Sequence, residues 1–307
     1  MKPPAPTASG SVTEHADWLE MAALKSPDRS ISMEALVGVV RRGGSVDGIA
    51  DGDHTDRGSE ISQQIADDAF LEIENRKAAC NGSYPFSVSG RALSVRDGAE
   101  NSMYTLMLLL SSVAPTSGHT GTAVLFERIC THAAREYFGG ATSGVEAWRF
   151  GSPRKSPHVT LNQAIDHICK ELAEGGGCAD REKGKRNKGD SGLDIVAWKS
   201  FPDKKVGKLI AFGQCAGGKT DWEVKASELD GVKFAKKWFR EPFAVDPLRV
   251  FFIPRWVDSG DWRDIGIDAG IVFDRGRIAA YASQVNTDLN TDCNRVSIGL
   301  LKELRNQ

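Results

Sequence analysis

A chain of 307 residues has the length of about two domains at roughly 150 residues each. Its 40% hydrophobic and 26% charged residues exclude a disordered or collagen-like chain, and its longest apolar run, 103–114, is far short of the ~20 residues of a membrane span. The net charge of -2 gives no global attraction to polyanions, so a nucleic-acid partner would have to be met by a local patch.

In chain order, residues 1–14 are rich in Pro, Ser and Thr and are expected to be disordered. Helical spacing follows over 16–24 and 32–42, where Met33, Leu36, Val37 and Val40 share a face behind a Ser32 N-cap. A Gly- and Asp-rich loop, 43–58, leads to a helix over 59–80 with Ile61, Ile65, Ala69 and Ile73 four residues apart. After the Asn81-Gly82 turn comes a short alternating segment, 84–95, and then a helix apolar nearly all round, 104–113. The Pro/Ser/Gly/Thr cluster at 115–121 marks a boundary. Residues 1–115 are read as a mainly helical N-terminal module and 116–307 as a second domain.

That domain opens with an amphipathic helix, 122–138, stopped by Gly139-Gly140. A short strand at 145–150 and a helix at 161–173 follow. The apolar runs 193–198 and 209–215 read as a hairpin, 227–239 as a helix and 249–253 as a buried strand. A strand near 270–273 and helices over 277–283 and 297–305 close the chain. The alternation predicts an α/β fold with a mixed sheet between helices. Cys80, Cys130, Cys169, Cys178, Cys215 and Cys293 form no CxxC pair, and the polar N-terminus has no apolar signal core, so a cytoplasmic chain with free thiols is expected.

The chemistry concentrates in Gly189-Asp190-Ser191-Gly192-Leu193-Asp194 and in Gly213-Gln214-Cys215-Ala216. Asp194 enters a buried strand behind a Gly-rich turn, where a carboxylate reaches an open rim. Gln214 brings a second oxygen on the next strand. Mg²⁺ takes oxygen ligands and commonly only one or two protein carboxylates, the substrate phosphate completing its shell. Asp194 and Gln214 suit that requirement.

At these residues the chain resembles the restriction-endonuclease-like superfamily of PD-(D/E)XK nucleases, in which an Asp starts one strand and a (D/E/Q)-x-K tripeptide ends the next. Asp194 stands at the first position and Gln214 at the second, and Glu127 matches the Glu many members carry on the opening helix. The resemblance spans about 121–256 and implies a Mg²⁺ (or Mn²⁺) centre held by Asp194, Gln214 and Glu127. It also implies a lysine that activates water and stabilises charge on phosphate. That lysine is Ala216 here; Lys219 and Lys208 are the candidate replacements, with Lys225 a third. The upstream loop holds Arg181, Lys183, Lys185, Arg186 and Lys188, which would neutralise phosphates.

The resemblance implies a metal-dependent nuclease that cuts DNA, with bacterial antiviral defence as its setting. Two alternatives stand beside it. One is a nuclease fold without catalysis, serving as a nucleic-acid-binding or assembly subunit. The other is a ribonuclease. In each, the N-terminal module is free for a partner protein or a second copy.

Overall fold

The computed structural model describes residues 6–43, 54–112, 121–180, 189–218 and 222–306, the side chains of 43 and 54–57 excepted. Helix α1 (Val12–Lys25) starts earlier than its apolar spacing suggests, because Ser11 and Glu14 form a reciprocal capping box. The helix thus reaches into the stretch that composition alone reads as disordered. Pro6 is buried and the His15 ring bonds the Thr7 carbonyl at 2.8 Å.

Strand β1 (Ser30–Ser32) precedes α2 (Met33–Gly43) and α3 (His54–Ala79). The alternating segment is a hairpin of β2 (Phe86–Ser89) and β3 (Ala92–Val95), and β1 adds antiparallel to β3. Helix α4 (Met103–Ser112) is buried on nearly every side.

The second half begins with α5 (Thr122–Tyr137), then β4 (Val145–Arg149) and α6 (Leu161–Leu172). Strands β5 (Ile195–Lys199) and β6 (Leu209–Cys215) form the expected hairpin. Helices α7 (Trp222–Ala226) and α8 (Gly231–Trp238) lead to β7 (Leu248–Phe252). Helix α9 (Trp262–Ala269), β8 (Ile271–Phe273), α10 (Arg275–Tyr281) and α11 (Thr287–Arg305) complete the chain. The five-stranded sheet has the order β4-β5-β6-β7-β8; β4, β5 and β6 are antiparallel neighbours, and β7 and β8 run parallel to β6. The protein is thus a mixed α/β structure. Among the described residues no helix is long and apolar enough to cross a membrane.

Alternation along β5 sorts its side chains onto two cores. Ile195 and Ala197 face α5, while Val196 and Trp198 face α6 and α8 with Phe212, Phe234 and Trp238. The larger core does not stop at the expected boundary. Leu19, Ile73 and Leu108 from the first half join Ile129, Ile278 and Leu300 from the second in one continuous cluster.

A buried ion network ties the same halves together. Arg76 and Arg275 are both fully buried. Arg275 donates to Asp17 at 2.7 and 2.9 Å, and Arg76 donates to Asp17 at 2.7 Å. Glu20, also fully buried, lies 3.1 Å from Arg76 and 3.3 Å from Arg275. The Tyr84 and Tyr104 hydroxyls donate to it at 2.7 and 2.8 Å. Thr13 donates to Asp258, and Arg305 to the Leu24 carbonyl, so α1 is bound to segments near the other end of the chain.

Candidate functional site

Where β4 ends and β5 begins, the backbone is drawn tight. Phe150 and Gly151 both donate N–H bonds to the Asp194 carbonyl, at 2.7 and 2.9 Å, and Asp194 N–H donates to the Gly213 carbonyl. Buried Arg154 staples this corner: its guanidinium donates to the Phe150, His158 and Gly189 carbonyls. Ser191 and Gly192 take positive φ at the turn into Asp194. The Asp190 carboxylate holds that turn by accepting from Ser152 N–H at 3.0 Å and Gly192 N–H at 3.1 Å.

This corner opens on a cleft of about 470 Å³. Glu127 from α5, Asp190 and Asp194 from the turn, Gln214 from β6, and Lys225 and Glu228 from beyond α7's start line it. Asp194 Oδ2 accepts from Cys215 N–H at 2.7 Å, which leaves Oδ1 toward Gly151. A Cβ at Gly151 would strike Glu127 Oε2 and stand 3.1 Å from Asp194 Oδ1, so both carboxylates crowd one point that only a glycine leaves open. Arg149 pairs with Glu127 and holds its carboxylate there. On the other wall, Gln214 Nε2 donates to Glu228 Oε2 at 3.0 Å. That bond settles the orientation of the amide. Among the described residues Gln214 Oε1 is then buried with no hydrogen-bond partner, an orphan acceptor in a residue that lines the cleft.

The electrostatics follow from crowding like charges away from water. Burial pushes the Asp194 carboxyl up to about 8; the Cys215 N–H opposes this, and the Glu127 and Asp190 carboxylates add to it. Glu127 is raised as well, by burial first, with Arg149 working the other way. The cleft therefore favours a proton on Asp194, and a divalent cation is what would replace it.

No protein-family model, curated protein or solved structure matches the chain. Among the described residues no three His, Cys, Asp or Glu side chains converge closely enough to hold an ion by themselves. Two carboxylates and an orphan amide oxygen nevertheless fit a Mg²⁺ or Mn²⁺ whose shell is completed by phosphate and water.

Of the residues singled out in the sequence, Glu127, Asp194 and Gln214 line this one cleft. Lys208 does not. It is buried, and its ammonium donates to the Leu172 carbonyl beneath α6. Strand parity places Lys208 on Gln214's side of the sheet, but six residues at about 3.3 Å each separate the two along the strand. Ala216 packs in a core with Phe251 and Val257, and its N–H donates to the Phe252 carbonyl. Among the described residues Lys225 is the lysine that lines the cleft, where it acts on Asp194. Lys219 lies outside the described residues, as do Arg181, Lys183, Lys185, Arg186 and Lys188.

Sequence reasoning passed over Glu228 and Arg149. Glu228 stands 14 residues beyond Gln214 and just before the N-cap Asp230, where an acid reads as helix-start chemistry. Arg149 on β4 carries a weak signal, a charge closing an otherwise half-buried strand.

Proposed function

We propose that this chain is a metal-dependent nuclease that hydrolyses DNA phosphodiester bonds in a restriction-endonuclease-like fold. The observation that carries the reading is the pairing of Glu127 and Asp194 at the Gly151 opening with the orphan oxygen of Gln214 in the facing wall. The order of elements around them supports it: helix α5, strand β4, helix α6, the antiparallel β5-β6 hairpin, a helix on the face opposite α5, and β7 parallel to β6.

Asp194, Gln214 and Glu127 would hold Mg²⁺ or Mn²⁺, which supplies Lewis-acid polarisation of the phosphate and an acidified water. The chain's own part is to set the stage for that chemistry. Glu228 fixes the orientation of the Gln214 amide by taking its N–H, which leaves Oε1 as the end free to accept. A glutamate at 214 would place a further carboxylate against Glu228, so the amide reduces repulsion while keeping an oxygen donor. Arg149 orients Glu127, and Cys215 N–H orients Asp194. Lys225 takes the place of the superfamily's lysine as the cation beside the developing charge.

The burial of Ala216 favours a second reading, a nuclease fold retained for binding without catalysis. One experiment separates the two. Purified protein is incubated with plasmid DNA and Mg²⁺ or Mn²⁺, with Asp194→Ala and EDTA controls and a parallel RNA substrate. Cutting of DNA that falls on the order of 10²–10³-fold in Asp194→Ala bears out the nuclease. Salt-sensitive binding without cutting bears out the second reading, and cutting confined to RNA makes the chain a ribonuclease.

A further inference from the structure

Two histidines stack on the flank of the Asp194 corner. The His158 and His167 rings lie 4.1 Å apart and 25° from parallel, and the Trp148 ring of β4 stands across both, at 5.7 and 4.8 Å. His167 belongs to α6, and His158 to the segment that leaves β4, so the stack clips that segment to the helix.

The same segment is tied to the candidate site. The His158 carbonyl accepts from Arg154 Nε at 3.0 Å, and that guanidinium also holds the Phe150 and Gly189 carbonyls, at 2.8 and 2.9 Å. Phe150 and Gly151 in turn donate to the Asp194 carbonyl. Movement of His158 away from α6 therefore takes an acceptor from the buried arginine that shapes the corner.

The stack tolerates one charge and not two. An imidazole and an imidazolium can share it, but two imidazoliums at this separation repel. The surrounding groups do not offset a second proton. Glu171 on α6 brings one half-exposed carboxylate, its Oε1 4.0 Å from His167 Nδ1, while Lys170 on the same helix adds positive charge. On the side of His158 stand Arg154, which Asp190 offsets, and Lys155, and β4 supplies the neutral Trp148. Burial, then the His158 ring and Lys170, hold His167 below its ordinary 6.5, with Glu171 working the other way.

We propose that the His158–His167 stack is an acid-sensitive latch on the Asp194 corner: with both rings charged it opens, the segment around His158 leaves α6, and the corner that carries Asp194 loosens. This goes beyond the nuclease reading and does not depend on it. The folded state favours a neutral ring, so the latch is at full strength above pH 6.5 and weakens as pH falls through the lowered His167 value.

The test needs neither metal nor nucleic acid. Histidine ring resonances of the whole protein are followed by NMR from about pH 8 to about pH 5, a range that spans imidazole titration. Exchange of the Phe150 and Gly151 amides is measured alongside and corrected for its intrinsic dependence on acidity. His158→Phe keeps a ring in the stack but takes no proton, and in it His167 should titrate about one unit higher. Protection of the two amides should fall about tenfold between about pH 7 and about pH 5 in the wild type, and hold in His158→Phe. His167→Phe should hold it as well, and it serves if the first variant fails to fold.

A His167 titration that does not move in His158→Phe overturns the latch. So does protection that persists in the wild type at about pH 5, or that falls equally in the variants. Failure of the nuclease reading looks different: DNA is left uncut at every pH, while the exchange results stand as they are.

Discussion

Two regions of this molecule bury charge, and they do so in opposite ways. Around Arg76 and Arg275, acids and bases alternate, each group meeting a partner of the other sign. Burial alone would raise the Asp17 carboxyl, but the Arg275 and Arg76 guanidiniums hold it well below the usual carboxylate range. Around Gly151, carboxylates of one sign are packed together, Asp194 is pushed up, and an amide oxygen is left without a donor. The first arrangement is complete as it stands. In the second, burial and like charges outweigh Arg149 and Lys225, and a carboxyl perturbed in that way inside a cleft marks a candidate site.

The comparison can be broken most severely in the network. Replacing Arg275 with Met leaves Asp17 and Glu20 sharing Arg76 alone, and unfolding by denaturant should show a loss of about 3–5 kcal/mol. A neutral result would mean that the network does not hold the halves together.

The cleft should respond in the other direction. Burial pushes the Asp194 carboxyl from the ordinary 3.8 up to about 8, so the native state binds the extra proton between those limits. Stability should accordingly decline as pH rises from about 4 to about 8 and then level off. Asp194→Asn removes that penalty. In metal-free buffer it should stabilise the protein by on the order of 2 kcal/mol near pH 8, and the gain should shrink toward pH 4. Thermal melts of both proteins across this range check the sign.

Smaller effects probe the geometry. Gly151→Ala sets a methyl group against both carboxylates and should weaken Mn²⁺ binding about a hundredfold, measured by calorimetry. Glu228→Gln removes the acceptor that orients the Gln214 amide and should cost about tenfold in the same assay. If Glu228→Gln binds Mn²⁺ as well as the wild type, the amide needs no such guide.

Periodicity made much of this legible. The 122–138 helix, the 193–198 and 209–215 hairpin and the buried strand after 248 all lie where apolar spacing puts them, because each buries a broad face against a large core. Shorter pieces escaped. Strand β1 is three residues of Ser-Ile-Ser, and α9 is mostly exposed, so neither has an apolar pattern to read. The capping box at Ser11 is a readable helix-start signal within a stretch whose composition is that of a tail. In the cleft, parity along a strand reveals which face a side chain takes but not how far it reaches, which is why Lys208 went astray. Glu228 depends on a bond between segments that only the folded chain brings together.

The bonds from α1 to distant segments also bear on when the molecule can come into being. Asp17 waits for Arg275, Thr13 for Asp258 and Leu24 for Arg305. On a ribosome, α1 emerges early and has none of these partners until nearly all the chain described has followed. The cleft residues emerge in between, onto a core still missing α10 and α11. Closure of such far-separated contacts is slow, so a nascent chain passes through synthesis with the cleft at Gly151 still unassembled.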